Sequence, residues 1–173
     1  MYLQTIGNED EKPKFQQIYE AYSQLMYYIA FRRTGNVHDA EDIVQQAFMK
    51  IAENIEKLDP PCPKTKQFVV IIVENLTINL YRYQSRRPAV PYEDAMEHSL
   101  ASVSPPEGES LLTQCILKLP QQQRTVIWLK YVYGYSLREI AKLLELPPET
   151  VKKQDQRGKK LLEKLYREGG GSL

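Results

Sequence analysis

The sequence predicts an all-α protein of two small helical bundles, the second containing a helix-turn-helix. Three observations carry that reading. Apolar residues recur at threes and fours along most of the chain, the spacing of one helix face. No stretch shows strand alternation followed by a hairpin turn. The periodicity stops across residues 88–108, a proline-broken stretch, so residues 1–87 and 109–173 read as separate domains joined by a flexible linker.

The N-terminal dozen residues are polar and are expected to fray. From Pro13, Phe15, Ile18, Tyr19, Tyr22, Leu25, Met26 and Ile29 make one apolar stripe. Thr34, Gly35 and Asn36 end that helix, and Asn36 or His38 can begin the next. The second helix, DAEDIVQQAFMKIAENIEKL, turns Ala40, Ile43, Val44, Ala47, Phe48, Ile51 and Ile55 inward. Asp39, Glu41, Asp42, Gln45 and Gln46 are left outside. Acids in a first turn also suit the helix dipole, which accounts for three of these without any partner. Pro60, Pro61 and Pro63 make a stiff loop.

A third helix is expected from about Lys66 to Ser85, with Phe68, Ile71, Ile72, Leu76 and Leu80 buried. The Phe68–Val73 run is apolar and β-branched enough for a strand, but the polar spacing after it stays helical. Asn75 and Asn79 lie on or beside the stripe, where they either bond to fix helix packing or read a ligand. The helix ends in YRYQSRR. There Arg82, Arg86 and Arg87 interleave with Tyr81 and Tyr83, a pattern that holds a nucleic-acid backbone while rings stack on bases. Cations at a helix C-terminus are favoured by the dipole in any case.

Beyond the linker, Leu111 to Leu119 make a short helix ended by Pro120, and Gln121 to Tyr133 another, with Trp128 as a large anchor. Gly134 breaks it. Ser136 and Glu139 then have capping-box spacing before Leu137, Ile140, Ala141 and Leu144. Pro147 and Pro148 make the corner, and Pro148 suits a first helical position. In the last helix Val151, Gly158, Leu161, Leu162 and Leu165 lie on or near one side. Lys152, Lys153, Gln154, Gln156, Arg157 and Lys160 lie on the other. An apolar back with a basic, amide-rich front suits the DNA major groove: lysine and arginine neutralise phosphates, and glutamine can bond adenine twice.

A net charge of +1 argues weakly for nucleic acid, but its distribution says more. Residues 1–87 are neutral, residues 88–108 carry only acids, and the excess of lysine and arginine falls after them. No apolar run is long enough to span a bilayer and no signal segment opens the chain, so a cytoplasmic protein is expected. Cys62 and Cys115 have no metal-ligand spacing and are expected to stay reduced. Like His38 and His98, they read as packing or surface residues.

Together these blocks resemble sigma factors of bacterial RNA polymerase, specifically the small two-domain kind called extracytoplasmic-function (ECF) sigma factors. The likeness runs roughly from Phe15 to Tyr166. DAEDIVQQAF, Asp39 to Phe48, is similar to the polymerase-binding helix of the family's first domain. LPQQQRTVIWLKYVYGYSLREIAKLLELPPETVKK is similar to its second. The resemblance implies a non-enzymatic initiation subunit whose partners are the RNA polymerase core (β and β′ subunits) and promoter DNA. An anti-sigma factor is a further candidate partner, and no cofactor, metal, small-molecule substrate or membrane is implied. It assigns polymerase docking to Asp39, Glu41, Asp42, Gln45 and Gln46. It places Lys64, Lys66, Asn75, Asn79, Arg82, Tyr83, Arg86 and Arg87 near the −10 single strand. It places Thr150, Lys152, Lys153, Gln154, Gln156, Arg157 and Lys160 on the −35 duplex, with Arg124 facing its backbone.

Some positions depart from the family pattern. Glu145 stands where a small residue, often glycine, is usual, and Pro147 where a Ser or Thr cap is. Asp155 replaces an apolar residue and puts a negative charge amid the basic helix. Gly158 replaces alanine, weakening the helix by up to about 1 kcal/mol, and Asn79 replaces a frequent Asp. The altered reading helix keeps open the alternative of a sigma-like or helix-turn-helix regulator without initiation activity. An enzyme finds no nucleophile–base or metal constellation here.

Overall fold

The computed structural model describes residues 2–84 and 110–171. The chain divides into two compact units, Met1–Arg87 and Pro88–Leu173. Every regular element among the described residues is helical. The expected linker, with His98, lies outside the described residues, as do Arg86 and Arg87.

In the first unit α1 is Tyr2–Thr5, α2 Lys12–Thr34, α3 Val37–Glu53 and α4 Pro63–Gln84. The stripe expected on α2 buries Phe15, Ile18, Tyr22, Met26 and Ala30. Gly35 ends α2 in the left-handed conformation, φ 63°, and its N–H bonds to the Phe31 carbonyl at 2.8 Å. Asn36 caps α3, its side chain accepting from the His38 and Asp39 amides at 2.8 and 3.2 Å. Two helix starts differ from expectation. α4 begins at Pro63 rather than Lys66, because a first-turn proline gives up only an amide that has no intrahelical partner. The N-terminus is not frayed: Tyr2 packs its ring 5.9 Å from Phe15 and 5.7 Å from Phe48, and Ile6 is buried. Two apolar residues four apart are too few to show as a period, yet they suffice to cover the flank of α3.

In the second unit α5 is Leu111–Leu117, α6 Gln121–Ile127, α7 Leu137–Leu144 and α8 Pro148–Glu168. α6 was expected to run to Tyr133; its last turn widens instead into a π-helical segment, Trp128–Val132. Gly134, φ 76°, then reverses the chain. The capping box of α7 forms as spaced, the Ser136 hydroxyl accepting from Glu139 N and the Glu139 carboxylate from Ser136 N. Glu145 closes α7 in the left-handed region, φ 55°, as the turn of a Schellman motif: Leu146 N bonds to Ala141 O at 2.9 Å. A glycine would hold that backbone without the Cβ crowding that glutamate accepts. Pro147 supplies no side-chain cap, and α8 starts regularly at Pro148.

Gly158 sits where α8 crosses α6. A Cβ built there would lie 2.8 Å from Cγ1 of the buried Ile127. Gly158→Ala is therefore expected to destabilise this unit. Overpacking costs about 1–3 kcal/mol against up to about 1 kcal/mol of helix propensity gained. Denaturant unfolding checks the sign, and a stabilised variant would show that Ile127 can yield.

Candidate nucleic-acid interface

A helix turns 100° per residue, so Val151, Gln154, Asp155 and Gly158 fall on one side of α8, and all four are buried. Lys152, Lys153, Gln156, Arg157 and Lys160 point outward, and Thr150 is half-buried in the first turn. The outward set is a continuous basic stripe carrying one amide.

Gln154 does not belong to that stripe. It is 3 % exposed, and its amide donates to Gln122 Oε1 at 2.8 Å, tying α8 to α6. Nor does Asp155 project a negative charge into the stripe. Also 3 % exposed, its Oδ2 takes Lys130 Nζ at 2.9 Å and Lys159 Nζ at 3.2 Å. The Tyr131 hydroxyl stands 3.5 Å from Oδ1. The Lys159 pKa is held above the ordinary lysine value, by its contacts with Tyr131 first and Asp155 second. Arg124 is half-buried and donates to the Leu117 carbonyl at 3.1 Å, bracing the end of α5. Lys159 was legible as the i+4 partner of Asp155. Lys130 and Tyr131, some two dozen positions away, carried no such signal.

In the first unit, Glu41, Asp42, Gln45 and Gln46 are exposed on α3 and Asp39 is half-buried in its first turn. They share one helix face and are all acids or amides. At the start of α4, Lys66 is exposed and Lys64 pairs with Asp59 at 3.0 Å. At its end Tyr83 is 87 % exposed, with Asn79 and Arg82 half-buried beside it. The Tyr81 hydroxyl bonds to the Arg33 carbonyl, and Arg33 pairs with the buried Glu74 at 3.3 Å, joining the ends of α2 and α4. Asn75 is 2 % exposed and lies within the stretch of α4 where every residue from Phe68 to Ile78 is buried, away from the exposed Tyr83. Among the described residues no helix is long and apolar enough to cross a membrane, and no group of three or more His, Cys, Asp or Glu residues is placed to hold a metal.

Two helical units, an acidic helix face on the first and a basic helix-turn-helix on the second, define the class. Residues 18–87 match the family model for sigma-70 region 2, and residues 109–162 that for sigma-70 region 4. The chain is 34 % identical to the ECF RNA polymerase sigma factor SigW of Bacillus subtilis (strain 168), over 94 % of this chain and 92 % of that one. Similarity extends to SigX of the same organism, at 25 % identity over 87 % and 82 % of the two chains. It extends also to the ECF sigma-E factor of Haemophilus influenzae, at 29 % identity over 73 % and 74 %. The chain belongs to the ECF RNA polymerase sigma factors and directs promoter-specific transcription. Members of this family are initiation factors rather than catalysts.

Proposed function

We propose that this chain acts in the cytoplasm as a dissociable initiation subunit with three working surfaces. The outward face of α3, with Glu41, Asp42, Gln45, Gln46 and Asp39 at its edge, docks on core polymerase. The two ends of α4 hold the −10 element: Lys64 and Lys66 on its backbone, Tyr83 for base stacking, Asn79 and Arg82 beside it, with Arg86 and Arg87 continuing the basic run. The outward stripe of α8, Thr150, Lys152, Lys153, Gln156, Arg157 and Lys160, enters the −35 major groove. Residues 1–87 and 109–173 thus grip two elements, and the connector 88–108 makes the second grip intramolecular, so that modest affinities combine. Strand opening draws on captured and stacked bases. An anti-sigma factor remains a candidate partner on family grounds alone.

The observation that carries this reading is the segregation of α8 from Lys152 to Lys160, whose polar residues divide into a buried bonded pair, Gln154 and Asp155, and an exposed set that is basic apart from Gln156. Run-off transcription with core enzyme and a promoter library tests it, and absence of any promoter-specific product would sink it. Asp42→Ala is expected to weaken core binding by about 1–2 kcal/mol, roughly five- to thirtyfold in Kd. Its exposed position predicts an unchanged unfolding midpoint. Titration of labelled core with both chains checks this; equal affinities would remove Asp42 from the docking face.

A further inference from the structure

Asp155 gathers more positive charge than it neutralises. Lys130 and Lys159 approach the same carboxylate oxygen, at 2.9 and 3.2 Å. The centroid of the Tyr131 ring lies 5.1 Å from the Lys130 nitrogen and 5.6 Å from that of Lys159, so both ammonium groups also pack over one aromatic ring. Two cations held this close repel unless an anion stands between them. The carboxylate supplies one negative charge from behind, and its burial leaves it little access to solvent. The three ion-paired side chains thus carry one net positive charge. Both ammonium groups have an open side: the Lys159 side chain is 50 % exposed and that of Lys130 24 %. Each ammonium has three donors; Lys130 spends one on Asp155, and Lys159 is shared between Asp155 and Tyr131. Lys159 also continues the outward stripe of α8, three residues past Gln156 and seven past Lys152.

We propose that Lys130 and Lys159, held side by side by Asp155 and Tyr131, form a phosphate clamp for the DNA duplex backbone at the edge of the reading helix. This rests on α8 being the duplex-binding helix. Lys130 and Lys159 are the binding groups, whereas Asp155 and Tyr131 are positioning residues that restrict where the ammonium groups point. The assignment makes a prediction of unusual sign. An acid that merely opposed DNA would, when neutralised, raise affinity. An acid that organises two phosphate-binding lysines would, when neutralised, lower it, although the chain becomes more positive.

The test is binding of a short mixed-sequence DNA duplex by the full chain across a salt series, with thermal unfolding of each variant in parallel. Lys130→Gln and Lys159→Gln are each expected to flatten the log–log salt dependence by about one unit. Each is expected to weaken binding roughly three- to tenfold at moderate salt. Asp155→Asn, close in size, is expected to weaken binding several-fold as well. Tighter binding by Asp155→Asn, or unchanged salt slopes for both lysine variants, overturns the clamp. If Asp155→Asn unfolds below the assay temperature, the two lysine variants decide the matter alone. Arg157→Ala separates this proposal from its foundation. A reduced slope for Arg157→Ala with unchanged slopes for the lysine variants rejects the clamp and keeps the reading helix. A wild-type chain with no duplex binding rejects both.

Discussion

Phe48→Ala is expected to cost the first unit about 3–5 kcal/mol, the range for truncating a buried phenylalanine. Phe48 is 1 % exposed and is the hub of an aromatic cluster, with ring centroids 4.6 Å from Tyr19, 5.7 Å from Tyr2 and 6.0 Å from Phe15. These rings come from α1, α2 and α3. Removing the hub opens a cavity that three elements line, and a backbone fixed by caps at Asn36 and Gly35 cannot easily collapse into it. Small domains have only about 5–15 kcal/mol of net stability, so the loss is a large fraction of the whole. It should also propagate, because the same helix, α3, carries Asp42 and Gln45, the latter one turn from Phe48. Core binding should weaken although no docking residue has changed. Far-UV circular dichroism across a denaturant series measures the first effect and core titration the second. Removing the Tyr2 ring alone should give a smaller loss of the same kind. A wild-type midpoint for Phe48→Ala would mean that the aromatic cluster adds little to the fold.

The second large effect concerns DNA. Replacing Lys152, Lys153 and Arg157 together by alanine is expected to lower the salt slope of duplex binding by nearly three units, and affinity by roughly two to three orders of magnitude. All three side chains are exposed, and Val151 and Gly158 on the buried side are untouched, so helicity and the unfolding midpoint should hold. The triple change also separates positioning from reading. If Arg157 bonds a guanine edge, the single Arg157 variant loses affinity for a selected promoter duplex more than for a mixed-sequence one; if it bonds phosphate, both fall alike. A salt slope unchanged in the triple variant would place the DNA elsewhere on the molecule.

Most of the helices were legible because what makes a helix is local. The stripe from Phe15 to Met26, the capping box of Ser136 and Glu139, and the first-turn proline at 148 all act within a few residues. The failures share a different character. Gln154 and Asp155 looked like part of a polar front, although their angular position already matched Val151 and Gly158. Polar chemistry concealed the inward stripe. The short N-terminal helix had too few apolar residues to show a period. Asn75 lies among apolar positions in sequence, and only the fold shows that it is buried.

What the chain determined by itself was the order, caps and apolar faces of its helices, together with the family they belong to. Only the tertiary structure decided which polar side chains face water. A buried polar group is tolerable when a partner meets it, and unpartnered it costs several kcal/mol. For Gln154 the partner is Gln122, and for Asp155 it is Lys130 in addition to Lys159 of the same helix; Gln122 and Lys130 are on elements that reach α8 only after the chain has turned back on itself. Gly158 shows the same division. Its local effect is to weaken a helix, and its tertiary effect is to let Ile127 come close.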